Sequence, residues 1–196
     1  MLAALAAIAV ASWVAWSWIG HSTGRTGSGG AQAQMDIGGP FTLTDHHGKT
    51  VTDKTYLGQY LLVYFGYGYC PDVCPTELAN IAAAMDDLGD KANKVTPLFI
   101  TVDPERDTVK HLAAYVKNFD PRMVGLTGSA EQIKQAAKVY RVYYRKAEPA
   151  PGNPPKDYLM DHSSVIYLMD RKGGYITHFT HRSQSEDIEA AIREHL

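Results

Sequence analysis

The chain has 196 residues, with 19 lysines and arginines against 21 aspartates and glutamates, for a formal net charge of −2. That balance excludes the strongly basic surface that a nucleic-acid partner requires, and two cysteines are too few for a disulfide scaffold. At 45% hydrophobic residues, the composition is that of a globular protein with enough apolar material for one well-filled core.

Residues 2–19 carry no charge and consist mainly of Ala, Leu, Ile, Val and Trp, close to the roughly 20 apolar residues that cross a bilayer. We read 1–19 as a membrane anchor helix, with Trp13, Trp16 and Trp18 at the headgroup level. A cleaved signal peptide fits less well, because no Lys or Arg precedes the run and the Ala31-Gln32-Ala33 stretch lies far downstream. A core helix fits less well again, since the segment is apolar all round. Residues 20–34 are mostly Gly, Ser, Thr, Ala and Gln, a flexible linker with an r.m.s. span of roughly 20 Å. Residues 35–196 are the folded domain.

Within it, 41–44 and Val51 flank Asp45-His46-His47-Gly48, a small hairpin. The adjacent histidines are turn residues in this reading, because neighbours on an extended chain point to opposite faces. The apolar run 60–67 is a buried strand, and helical periodicity follows from Leu78 through Met85 to about Leu88, where Gly89 closes the helix. Both cysteines, Cys70 and Cys74, fall on the strand-to-helix turn between them. Pro75 suits a first helical residue, where its missing N–H is no loss, which makes Cys74 the expected N-cap. A thiol there faces free N–H groups and the positive end of the helix dipole, so the pair is expected to be reactive. Three residues separate the sulfurs, one more than in C-x-x-C, and this spacing accommodates a soft metal ion between two thiolates. A plain disulfide, a pair of inert thiols and a redox-active dithiol remain open on the residues alone.

Further along, 95–102 is a buried strand and Asp103-Pro104-Glu105-Arg106-Asp107 is turn and cap chemistry leading into a helix over 108–119. A short strand near 124–126 precedes a helix whose Ser129-x-x-Gln132 start is a capping box. The aromatic alternation of 139–146 predicts a strand, and 148–156, with four prolines, a loop. A strand over 163–170 turns at 171–174 into an antiparallel partner, 175–179, and an amphipathic helix from near Ser185 ends the chain. Strand–helix alternation of this kind gives an α/β sandwich. His178 and His181 sit on the late hairpin as surface residues, and no internal repeat is visible.

The run CPDVCPTEL behind an aromatic strand, TVDPERDT from Thr101 and DYLMDHS from Asp157 together resemble the Sco/SenC family of copper-binding proteins for cytochrome c oxidase assembly. The similarity extends over residues 36–196 in order. Gly68-Tyr69 stands where many members have Thr-His, and Val109 follows Asp107-Thr108 where proline is common. Neither departure removes a ligand. The resemblance implies a thioredoxin-like fold, here with an added N-terminal β-hairpin and a late antiparallel hairpin, and a copper site made of Cys70, Cys74 and His162. The spacing alone does not single out His162; Met160 is a softer alternative, and Asp161 is expected to face solvent. The resemblance also implies a copper chaperone rather than a turnover enzyme. Its partners are the copper-bearing subunit of cytochrome c oxidase, a copper-donor protein and, through the anchor, the lipid bilayer. Its place is the bacterial periplasm or the mitochondrial intermembrane space. The rival reading is a thiol–disulfide oxidoreductase in which Cys70, the more exposed thiol, attacks and Cys74 resolves. A peroxidase-like thiol enzyme is disfavoured because the paired thiols suit chelation.

Overall fold

The computed structural model describes residues 37–148, 154 and 157–196. The anchor read at 1–19, the linker at 20–34 and most of the proline-rich loop lie outside the described residues. Among the described residues, no helix is long and apolar enough to cross a membrane.

A seven-stranded mixed sheet organises the domain. Its strands are β1 (Thr42–Asp45), β2 (Thr50–Thr52), β3 (Tyr60–Gly66), β4 (Val95–Thr101), β5 (Val124–Thr127), β8 (Val165–Met169) and β9 (Tyr175–Thr180), in the order β2-β1-β5-β4-β3-β8-β9. The remaining two, β6 (Tyr144–Lys146) and β7 (Met160–His162), pair with each other as a separate ribbon. Among the described residues four α-helices accompany it: α1 (Val73–Asp87), α2 (Val109–Val116), α3 (Ala130–Val139) and α4 (Ser185–Arg193). α1 packs on α4, α2 on β5 and α3 on β1. This is the thioredoxin-like arrangement, with the early hairpin joined to the main sheet through β5 and the late one through β3.

β3 leads directly into the turn that carries both cysteines. It pairs in parallel with β4 and antiparallel with β8, and every residue from Leu61 to Gly66 is buried. A strand covered on both faces reads as a continuous apolar run rather than an alternation, which is why 60–67 is legible in the sequence. Full burial of a side chain such as Leu62 or Phe65 stabilises the fold by about 1.5–3 kcal/mol.

The hairpin turn behaves as expected. The Asp45 carboxylate accepts the N–H groups of His47 and Lys49, each at 2.9 Å, and Gly48 takes φ +83°. His46 has a further structural task, since its Nδ1 accepts the Gly125 N–H at 3.0 Å and so docks the turn on β5. The capping box is present: Ser129 Oγ accepts the Gln132 N–H and Gln132 Oε1 accepts the Ser129 N–H. Gly89, at φ +56°, follows the end of α1.

The strand expected over 139–146 is shorter than its alternation suggests, because Val139 still belongs to α3. Ile133, Ala136, Ala137 and Tyr140 are buried at helical spacing, and the Tyr140 ring packs against Phe65 and Tyr167. Burying that stripe outweighs the alternation. The helix closes with Arg141 in the left-handed region, φ 55°, while Val142 and Arg141 donate back to the carbonyls of Ala137 and Lys138.

Candidate metal centre

The turn after β3 places both cysteines, with one correction to the sequence reading. Helix α1 begins at Val73 with Asp72 as N-cap, so Cys74 lies inside the first turn rather than at its cap. Pro75 tolerates this position: the first intrahelical bond is Thr76 N–H to the Asp72 carbonyl, so residue 75 needs no donor. The shift drives the Cys74 side chain into the core. It is fully buried, while Cys70 is half-buried on the turn. Gly66 makes the burial possible, since a Cβ there would stand 2.9 Å from Cys74 Sγ.

His162 arrives from the other side. Because β8 runs antiparallel to β3, with Tyr64 opposite Ile166, the residues preceding Val165 run past the end of β3 where the cysteine turn stands. His162 ends β7 and pairs with Tyr144 across the ribbon. Its Nε2 lies 3.4 Å from Cys74 Sγ, and its Nδ1 lies 3.1 Å from the Ser163 carbonyl. A carbonyl can only accept, so Nδ1 carries the proton and Nε2 presents its lone pair to the sulfurs. Tyr64 and Tyr67 meet the imidazole edge-on at 6.2 and 5.8 Å. The two sulfurs and the His162 nitrogen all lie within 4.8 Å of one another.

The electrostatics place the thiolate on Cys70 and not on Cys74, despite the helix start at which Cys74 stands. Cys70 is pulled well below the usual thiol range, chiefly by its pairing with the Cys74 thiol, with the neighbouring His162 side chain and then the N–H groups of Asp72 and Cys74 adding to it against burial. The Cys74 N–H stands 3.4 Å from Cys70 Sγ. Cys74 is pushed up by that same pairing and by desolvation. The reduced pair therefore holds one proton, on the buried sulfur.

The chain that brings these two sulfurs and one imidazole together is matched by known proteins. The SCO1/SenC family profile matches residues 29–196. The chain belongs to the SCO1/SenC family. It is 43% identical to protein SenC of Rhodobacter capsulatus over 198 residues, covering 97% of this chain and 87% of that one. With the human mitochondrial SCO1 homolog it shares 45% identity over 162 residues, covering 82% of this chain and 53% of the relative. The chain thus spans about half the length of that mitochondrial relative. Solved structures agree: Arabidopsis thaliana ScoI with copper bound superposes with a TM-score of 0.74 at 44% identity, over 81% of this chain and 99% of that one. Bradyrhizobium japonicum ScoI with copper bound gives the same TM-score and identity over 82% and 99%.

Other residues singled out in this Sco/SenC chain fall into place around the site. Asp161 is exposed and pairs with Arg145 at 2.7 Å, as its outward register requires. His178 and His181 are exposed on and after β9. The 103–107 segment is a turn, and Thr108 caps α2 by accepting the His111 N–H. Its side chains reach further than turn chemistry, however. Arg106 donates to Asp103 at 2.5 Å and to the Tyr158 carbonyl at 2.9 Å, and its guanidinium lies 3.7, 4.9 and 5.7 Å from the rings of Tyr158, Tyr69 and Tyr67. It therefore braces the cysteine turn against the segment leading into β7. Asp107 is fully buried and accepts the Gly68 N–H at 2.9 Å and the Thr101 hydroxyl at 2.5 Å. Burial pushes its carboxyl up despite those bonds. The charges of DPERD were the available signal; their destinations were not, because they lie 39 and 52 positions away.

Proposed function

We propose that this chain is a membrane-anchored copper chaperone that holds copper through Cys70, Cys74 and His162 and passes it to the copper-bearing subunit of cytochrome c oxidase. The observation that carries the reading is the convergence of the three donor atoms within 4.8 Å. Two soft thiolates and one imidazole suit copper in either oxidation state. The copper-bound ScoI structures and the motif resemblance support the choice of metal and of recipient. The domain works in the periplasm or the intermembrane space and receives its copper from a donor protein.

With copper as cargo, transfer is ligand exchange. Cys70 is the more accessible of the two sulfurs and the first that an incoming thiolate displaces; buried Cys74 leaves last. Because the apo pair keeps one proton on Cys74, loading Cu(I) at neutral pH expels roughly one proton per metal. Titrating the reduced protein with copper, following thiolate-to-copper charge transfer and proton release together, tests the reading. One equivalent bound with a charge-transfer band is expected. No band and no stoichiometric binding sink it.

One observation favours the second reading, a thiol–disulfide oxidoreductase acting on the copper-site cysteines of the recipient. A half-buried thiolate beside a fully buried thiol is the arrangement of an attacking and a resolving sulfur. Cys70 would break the target disulfide to form a mixed disulfide; Cys74, losing its proton, would then displace the second thiol and leave Cys70–Cys74 oxidised.

The anchor is part of the proposal. Expressed side by side, the full chain is expected to sediment with membranes and the fragment 35–196 to stay in the supernatant, folded by circular dichroism. Equal partitioning of the two removes the anchor.

A further inference from the structure

The residues just before Cys70 are gripped from α2 by a side chain that the metal chemistry does not use. His111, one helical turn after Asp107, lies flat on the Tyr69 ring, with centroids 4.7 Å apart and planes 13° from parallel. Its Nε2 is 3.5 Å from Asp107, whose other oxygen holds the Gly68 N–H. A Cβ at position 68 would stand 2.5 Å from His111 Nε2 and 2.8 Å from Asp107 Oδ1. Gly68 is not among the residues with positive φ, so the backbone does not demand glycine there. The space does: His111, nearest, and Asp107 behind it occupy what a side chain at 68 would need. Tyr69 is 51% exposed, and the Arg106 guanidinium 4.9 Å from its ring centroid adds a second hold.

We propose that His111 is a positioning residue for Cys70. By stacking on Tyr69 and filling the volume left by Gly68, it fixes the 68–70 turn and sets where the Cys70 sulfur stands relative to Cys74 and His162. Asp107 fixes the same turn through its backbone, so the turn is held twice from one helix start. The inference rests on the copper-site reading for its consequence, though not for its geometry.

The test uses the full-length protein with two readouts: the rate of Cys70 alkylation by iodoacetamide in the reduced apo form, and the position and intensity of the Cu(II) charge-transfer band. His111→Ala is expected to raise the alkylation rate roughly two- to tenfold, the population shift that loss of one aromatic pair allows, and to shift or weaken the band. Tyr69→Phe keeps the stack and should match wild type in both. Gly68→Ala should perturb both readouts, because the new methyl displaces His111. The double variant Gly68→Ala/His111→Ala should fall short of the sum of the two single effects, since His111→Ala relieves the closer clash of the new methyl and leaves only that with Asp107. Thermal melts accompany each variant. A lowered melting temperature in His111→Ala with both readouts unchanged makes the role merely structural and overturns the proposal, as does full additivity in the double variant or a Tyr69→Phe that behaves like His111→Ala. A wild type without any charge-transfer band defeats the copper reading instead, while the alkylation rates still decide the role of His111.

Discussion

Replacing either cysteine with serine is expected to abolish tight copper binding, with very different costs to the fold. A hydroxyl is a hard donor that stays protonated at neutral pH, so each variant leaves a single thiolate beside His162, and the loss should exceed the roughly 10- to 100-fold that changes outside the ligand set cost. Cys70 is half-buried on a turn, and Cys70→Ser should leave the melting temperature near wild type. Cys74 is fully buried against Gly66. Cys74→Ser places a hydroxyl there, beside Nε2 of His162 and the Cys70 sulfur, and should lower stability by about 1–2 kcal/mol, or roughly 2–8 °C in a domain of this size. Metal analysis and circular dichroism on the purified variants check both halves. Retained stoichiometric copper in either variant removes the dithiolate site. The thiols themselves should also differ: in the reduced wild type Cys70 is alkylated first, at a rate nearly constant from pH 6 to 8. An ordinary thiol, with a pKa of about 8.5, would instead speed up by about tenfold per pH unit over most of that interval.

Loss of the imidazole is the second large effect and separates the two readings of the site. His162→Ala leaves two thiolates, adequate for linear Cu(I), but a poor site for Cu(II), which prefers nitrogen donors and higher coordination. The Cu(II) charge-transfer band is expected to vanish, Cu(I) binding to weaken less, and disulfide exchange rates to change only modestly, since the largest influence favouring the Cys70 thiolate comes from Cys74 and His162 ranks behind it. Exchange rates that collapse while both copper affinities hold would favour the oxidoreductase and make His162 the base that takes the proton of the buried thiol, from which its nitrogen is 3.4 Å away.

Local patterns determined much of this protein before any coordinates. The β3 run is continuous because both faces are covered, the Ser129-Gln132 box and Gly89 mark helix ends through bonds that span three or four residues, and the cysteines announce soft-ligand or thiol chemistry by their type and spacing. What the sequence left open depended on distance and burial. Alternation around 139–146 lost to the helical stripe ending at Tyr140, because packing of that ring against Phe65 and Tyr167 is a long-range gain that no window contains. The position of Cys74 moved by two residues from cap to first turn, and that small shift buried the sulfur and left the proton of the pair on it. His162 joins the site only because β8 pairs antiparallel beside β3, carrying a residue 88 positions from Cys74 to the end of the strand that precedes the cysteines. Arg106 and His111 act on the same turn from another part of the chain for the same reason. Helix and turn signals are short-range and therefore written in neighbouring residues, whereas His162 was legible only through the family resemblance, because the meeting of the three donors and of the side chains that hold them depends on sheet order, a property of the tertiary structure.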